Sequence, residues 1–243
     1  MREIRIFQDA ELNIGDTVHL DSDAAGHVSR VLRIQIGQEL TLFNGDGCEY
    51  TAPITAIDKK NVSVEIRTQS LKHNESPLAI HLGQVISRGE KMEFTIQKAV
   101  ELGVNQITPL TSERCGVKLN PQRMQKKVQQ WQKIAIAACE QSGRSHVPKI
   151  HQPCTLEQWS REPSDAMKLN LHPKAPYTIK TLPTPTQGVN LLIGPEGGLN
   201  DEEIAMCSSF GFIETQLGPR VLRTETAALS AITALQCYFG DLS

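Results

Sequence analysis

The chain has 243 residues, of which 39% are hydrophobic and 21% are charged. This composition is typical of a globular protein with a buried core and argues against a disordered chain. No apolar run approaches the roughly 20 residues needed to cross a bilayer, and no apolar signal-peptide core follows the N-terminus. We therefore expect a cytoplasmic protein with no membrane partner.

The six cysteines are scattered, and no two of them form a CxxC pair. Structural zinc sites and disulfide frameworks both use tighter, patterned spacing. The cysteines are therefore interpreted as small core or surface residues, and we expect no metal site.

The formal net charge is −2, but the charge is unevenly distributed along the chain. Residues 1–72 carry a net −3, residues 81–150 a net +6 and residues 151–243 a net −4. The basic middle segment is compatible with a surface for nucleic-acid phosphates. A solvated helix face rich in lysine explains the same charges, and charge alone favours that alternative.

Residues 1–72 predict a small β-barrel made of short strands joined by tight turns. The clearest turn is Asn44–Gly47, where Asn and Gly accept positive φ. One helix is predicted within this region, over Asp23–Arg33. A polar stretch, Gln69–Pro77, indicates a domain boundary between residues 72 and 73.

From residue 73 onward, buried-type strands alternate with amphipathic helices, which predicts a mostly parallel α/β sheet covered on both faces. The predicted helices have clear start and stop signals, such as Asn120-Pro121 before a long helix and Asn200 before an acidic first turn. Thr224 is predicted to cap the last helix.

Ligands of parallel sheets bind beyond the C-terminal ends of the strands. Three such strand ends carry polar, charged or glycine residues that could bind a ligand: Asn170–Pro173, Ile193–Asn200 and Leu217–Ala227. A glycine-rich turn after a strand is by itself weak evidence for a ligand site. Two loops of suitable composition at the strand ends of one sheet favour a pocket that both loops share. A purely structural alternative stays open, in which Arg223 pairs with Glu225 or Glu196 to fasten the loops.

The segment Gly194–Leu199, followed by Leu217–Ala227, resembles the signature of the SPOUT-class methyltransferases. More narrowly, it is similar to the bacterial family that methylates N3 of a uridine in 16S ribosomal RNA. The resemblance spans nearly the whole chain and includes four further segments: Arg30–Arg33, Arg88–Glu93, Lys98–Gly103 and Glu140–Arg144.

The resemblance implies an α/β fold whose C-terminal parallel sheet contains a trefoil knot, an exception to unknotted topology. It implies a PUA-like RNA-binding barrel over residues 1–72 and a methyltransferase domain over residues 73–243. It further implies the cofactor S-adenosylmethionine, a homodimer, and 16S ribosomal RNA or the small ribosomal subunit as partner. The cofactor-binding residues it implies are Leu171, His172, Ile193, Gly194, Glu196, Gly198, Leu217, Gly218, Val221 and Leu222.

Methylation of uridine N3 requires stabilisation of a developing uridine anion. The expected catalytic residue is Arg223, whose guanidinium stays charged, with Arg220 sharing that role or holding a phosphate. Glu225 is expected to orient an arginine, because a carboxylate beside a helix N-terminus resists protonation. The candidate RNA-binding residues are Arg2, Arg5, Arg30, Arg33, Arg88 and Arg144. Two of these, Arg30 and Arg33, lie three apart and are expected to share a helix face.

Two alternative functions stay open, and a third is disfavoured by the sequence. The chain could act on another RNA target, such as a ribose 2′-hydroxyl or a transfer RNA, or it could be a non-catalytic RNA-binding or assembly factor on the same fold. An ordinary nucleotide-binding α/β enzyme is disfavoured, because the sequence has neither a GxGxxG fingerprint nor the lysine of a P-loop.

Overall fold

The computed structural model describes residues 3–58, 61–117 and 120–242. They form two compact units. The first contains the chain up to Glu75 together with Cys139–Val147, and the second contains Ser76–Ala138 and the chain from Pro148 onward. Residues 139–147, which lie in the second predicted domain, thus pack with the first unit. No described helix is long and apolar enough to span a membrane.

The first unit is built on a six-stranded sheet in the order β1-β3-β4-β5-β2, with β6 also paired to β4. All pairings are antiparallel except that of β1 with β3. Alternating apolar residues of the strands, such as Leu40 and Leu42, are fully buried in one core. The strands are β1 (Arg5–Phe7), β2 (Thr17–His19), β3 (Glu39–Phe43), β4 (Cys48–Ile57), β5 (Val62–Glu65) and β6 (Thr68–Leu71).

A short helical segment lies between β2 and β3 in the chain. Asp21 caps α1 (Ser22–Gly26), and the helix continues as a π-helical turn over His27–Val31, closed by the Leu32 N–H donating to the His27 carbonyl. Arg33 follows in the left-handed region at φ 52°. The expectation that Arg30 and Arg33 share a helix face is therefore wrong, because the helix ends between them.

Two arginines of the first unit are buried in ion pairs. The Arg5 guanidinium pairs with Glu49 and also donates to the Arg144 carbonyl at 3.1 Å. Arg144 in turn donates from Nε to Glu75 at 2.8 Å. Because buried charges need such partners, both guanidiniums serve the packing of this unit.

The second unit contains an eight-stranded sheet in the order β10-β8-β7-β13-β11-β14-β12, with β9 beside β8. Every pairing is parallel, as the alternation of strands and helices predicted. The strands are β7 (Ile80–Val85), β8 (Gln106–Thr111), β9 (Lys149–Ile150), β10 (Cys154–Thr155), β11 (Met167–Leu171), β12 (Tyr177–Thr178), β13 (Val189–Ile193) and β14 (Ile213–Gln216).

Helices cover this sheet in pairs: α2 packs against α6, and α4 packs against α5. Four of the five residues of β13 are buried, as expected for a strand with helices on both faces. The helices are α2 (Lys91–Glu101), α3 (Pro121–Ser142), α4 (Leu156–Arg161), α5 (Asp201–Ser209) and α6 (Thr224–Phe239), and a 3₁₀ turn covers Ile179–Thr181.

A half-buried histidine at the start of β7, His81, makes the stability of the fold depend on pH. The His81 ring lies 5.3 Å from the His151 ring and contacts Thr108 Oγ1 at 2.8 Å. Burial, together with the charge of the neighbouring His151, lowers the pKa of His81 to about 4. Between pH 6.5 and 4 the unfolded chain therefore holds a proton on this residue that the folded chain does not.

We predict that the free energy of unfolding falls as the pH drops from 7 to 5, with His81 contributing about 1–2 kcal/mol of the loss. Urea unfolding of the wild type and of His81→Gln at both pH values measures this contribution. The variant should lose less stability on acidification. An equal loss in both proteins would show that His81 is not responsible.

Candidate functional site

A cavity of about 520 Å³ opens at the C-terminal ends of β11, β13 and β14 in the second unit. Its walls come mainly from the three loops that follow these strands. Because the strands are parallel, their C-terminal ends meet at one edge of the sheet, which is where α/β proteins bind ligands. The volume lies in the range of small-molecule and cofactor pockets.

The structure brings all ten sequence-predicted cofactor residues to this cavity. They come from the end of β11, the glycine turn after β13 and the loop after β14. The ten lining residues are Leu171, His172, Ile193, Gly194, Glu196, Gly198, Leu217, Gly218, Val221 and Leu222.

The turn after β13 is shaped by glycine and by the start of the next helix. Gly198 lies at φ 69°, a left-handed conformation that a β-branched residue rarely adopts, and its N–H donates to the Pro195 carbonyl at 2.9 Å. Asn200 and Glu203 then form a reciprocal capping box, which begins α5 directly after the turn. The turn is therefore held between a strand end and a helix start.

The two main loops of the cavity are joined by one hydrogen bond. Thr224 Oγ1 donates to the Gly194 carbonyl oxygen at 2.8 Å, and Thr224 is buried. The predicted capping role of Thr224 is wrong: Arg223 occupies the N-cap position of α6, with no side-chain cap bond. The Thr224 hydroxyl therefore bonds to the neighbouring loop and does not cap its own helix.

Arg220 and Arg223 are exposed and line the cavity. Within the described part of the chain, neither guanidinium forms an ion pair. The alternative in which Arg223 fastens the loops through Glu196 is wrong, because Glu196 Oε1 lies 3.7 Å from Lys91 Nζ and accepts the Arg88 N–H at 3.2 Å. Both arginines are left available to a ligand.

Glu225, the third predicted catalytic residue, is not among the residues that line the cavity. It is half-buried in the first turn of α6. Its Oε2 atom is buried and has no hydrogen-bond partner among the described residues. Within the described part of the chain, Glu225 therefore forms no ion pair with either arginine of the site.

The structure adds lining residues that were not among the ten predicted cofactor residues. Lys91 reaches the cavity from the first turn of α2, and Asn170 and Thr215 line it from β11 and β14. Asn170 belongs to a strand end that the sequence singled out, but Lys91 is distant in sequence and only the fold brings it here. Arg114 contacts the glycine turn from outside, donating to the Gly197 carbonyl at 3.1 Å.

The predicted RNA-binding residues divide into exposed and buried groups. Arg30, Arg33 and Arg88 are exposed, whereas Arg5 and Arg144 are buried, with 8% and 5% of their surface accessible. Arg2 lies outside the described residues. The fold gives the two buried arginines a structural role, and we leave them out of the RNA-binding surface.

Comparison with known proteins bears on both units. The family model "RNA methyltransferase domain" matches residues 74–236, and the model "RNA methyltransferase PUA domain" matches residues 20–67. The fold and the cavity thus define an RNA methyltransferase domain preceded by a PUA domain.

Curated relatives are similar over nearly the full length. Ribosomal RNA small subunit methyltransferase E of Buchnera aphidicola (subsp. Schizaphis graminum) is 42% identical over 98% of both chains. The protein of the same name from Bacillus subtilis is 30% identical, over 90% of this chain and 89% of its own. The chain belongs to the ribosomal RNA small subunit methyltransferase E family.

Solved structures agree with this placement. A putative methyltransferase from Legionella pneumophila with the cofactor SAM bound has a TM-score of 0.96 and 50% identity over 100% of both chains. Ribosomal RNA small subunit methyltransferase E from Neisseria gonorrhoeae, bound to S-adenosyl methionine, has a TM-score of 0.94 and 38% identity over 100% of both chains. The predicted fold class, a trefoil-knotted SPOUT sheet with an N-terminal PUA-like barrel, is confirmed.

Proposed function

We propose that this protein transfers a methyl group from S-adenosylmethionine to N3 of a uridine in 16S ribosomal RNA. The observation that carries the proposal is the cavity at the strand ends, where an apolar pocket meets two arginines that form no ion pair with any described residue. The names of the relatives support small-subunit ribosomal RNA as the substrate, and two similar chains bind the cofactor. The protein acts in the cytoplasm, as a homodimer, on the RNA of the small ribosomal subunit.

The residues of the cavity fit S-adenosylmethionine. Aliphatic side chains, among them Leu171, Ile193 and Leu222, offer an apolar surface to the adenosine. A Cβ atom added at Gly198 would meet no atom within 4 Å, so the backbone of the turn is open on that side. Backbone polar groups of the turn can therefore approach the cofactor closely.

When bound, the cofactor supplies a methyl group on a sulfonium, which is transferred by direct displacement. The S–CH₃ bond breaks as the N3–CH₃ bond forms, and the N3 proton leaves to solvent. Arg223 donates to a carbonyl oxygen of the base and stabilises the negative charge that develops on the uracil. Its lack of a carboxylate partner in the described chain keeps this donor group free.

Arg220 holds an RNA phosphate beside the reacting base or shares the role of Arg223. Its exposure and its place in the cavity wall suit either contact. Glu225 is left out of the mechanism, because it does not line the cavity.

Arg30, Arg33 and Arg88 are proposed as RNA contacts outside the reaction centre. All three are exposed. Val31 and Leu32, between the first two, are also exposed, which adds an apolar surface to the guanidinium groups. Such a surface suits RNA, where arginine contacts phosphates and also stacks on unpaired bases.

We predict that Gly198→Val weakens the binding of S-adenosylhomocysteine by at least roughly tenfold, because valine disfavours the left-handed backbone that the turn requires. Isothermal titration calorimetry measures the change. Gly211→Val is the matched control: Gly211 lies at φ 85° with open space around it, but does not line the cavity. Equal affinity of the wild type and Gly198→Val would contradict the assigned pocket.

We predict that Arg223→Ala lowers methyl transfer to unmodified small ribosomal subunits by on the order of 10²-fold or more, while cofactor affinity changes little. Transfer of label from S-adenosylmethionine measures the rate. Arg161→Ala is the control, because Arg161 is exposed and pairs with Glu157 on α4. Near-normal turnover of Arg223→Ala would remove this residue from the mechanism.

We predict that the double variant Arg30→Ala/Arg33→Ala binds small-subunit RNA more weakly and with a shallower salt dependence. Each lost phosphate contact reduces the slope of log K against log salt by roughly 0.7–0.9. Arg67→Ala is the control, since Arg67 is an exposed arginine of the same unit. An unchanged slope in the double variant would place the RNA elsewhere.

A further inference from the structure

Gln84 is a fully buried polar residue that neither the sequence motifs nor the cavity lining include. It lies near the C-terminal end of β7, opposite Ile193 in the pairing of β7 with β13. Its Nε2 atom donates to Thr224 Oγ1 at 3.0 Å and to the Val85 carbonyl at 3.0 Å. Gln84 therefore contacts the residue that joins the two cofactor loops.

The donation from Gln84 determines the direction of the Thr224 hydroxyl. A threonine hydroxyl has one proton, and here its oxygen already accepts from Gln84. The proton is then directed to the Gly194 carbonyl oxygen, 2.8 Å away. A chain of two hydrogen bonds thus runs from β7 through the first residue of α6 to the first residue of the glycine turn.

Burying the Gln84 amide costs stability, and an apolar side chain at this position would avoid that cost. Gln84 Oε1 is buried and has no hydrogen-bond partner among the described residues. An unpaired buried acceptor destabilises a fold, whereas an aliphatic side chain of similar size does not. The side chain therefore contributes through its donor, which acts on Thr224.

We infer that Gln84 is a positioning residue for the cofactor site, acting through the Thr224 hydroxyl on the carbonyl of Gly194. It touches no ligand itself; it holds the glycine turn in the conformation that binds the cofactor. The inference rests on the proposed function only for the identity of that cofactor.

The test is calorimetric titration of the intact protein with S-adenosylhomocysteine, together with steady-state kinetics. Gln84→Leu should raise the dissociation constant roughly tenfold, the usual effect of losing a buried hydrogen bond at a site. The KM for S-adenosylmethionine should rise in parallel, while kcat at saturation stays within roughly threefold. Gln84→Met tests the same contact if the leucine variant folds poorly.

Gln236→Leu is the matched control. Gln236 is equally buried, lies near the other end of α6, and bonds to Ser76 and to the Leu102 carbonyl. Its loss should reduce stability in urea and leave the dissociation constant unchanged.

Thr224 variants test the relay itself. Thr224→Val should weaken binding as Gln84→Leu does, and Thr224→Ser should restore most of the affinity. The double variant Gln84→Leu/Thr224→Val should be little worse than Thr224→Val alone, because both changes remove the same relay.

Normal affinity in Gln84→Leu, or an equal loss in Gln236→Leu, would overturn the positioning role while leaving the proposed function intact. Fully additive effects of Gln84→Leu and Thr224→Val would also overturn the relay. Absence of S-adenosylhomocysteine binding by the wild type would instead overturn the proposed function, and the positioning role with it.

Discussion

The hydrogen bond between the Thr224 hydroxyl and the Gly194 carbonyl joins the two loops that form most of the cavity. Parallel strands bring their C-terminal ends to one edge of a sheet, but they do not fix the loops that follow them. This bond connects the beginning of the glycine turn to the beginning of the last helix. The loop after β14 ends at Thr224, the first residue of that helix. The buried Thr224 side chain therefore fixes both loops of the cavity.

The distribution of charge explains how a protein with a net charge of −2 can act on RNA. Some arginines, such as Arg5 and Arg144, are buried in ion pairs and stabilise the first unit. Others, such as Arg220 and Arg223, are exposed and free of ion pairs in the described chain. Local placement of such groups, more than the total charge, determines where a polyanion binds.

Sequence patterns predicted the parallel sheet and its long helices, because periodicity and turn residues are local signals. The ten cofactor residues that the resemblance implied all line the cavity. The sequence patterns missed β9, β10 and β12, which are two-residue strands defined only by their neighbours. They gave no indication that Lys91 lines the cavity or that Gln84 bonds to Thr224, because both residues reach the site from distant parts of the chain. The burial of Arg5 could not be predicted from the sequence either, because its partner Glu49 lies 44 residues away.

Nucleoside mass spectrometry measures directly whether the protein methylates N3 of uridine. Unmodified small ribosomal subunits are incubated with the purified protein and isotopically labelled S-adenosylmethionine, and their RNA is digested to nucleosides. We expect the label in 3-methyluridine and in no other nucleoside. Label in a 2′-O-methylated nucleoside or in another base, or no transfer at all, would contradict the proposed methylation of N3.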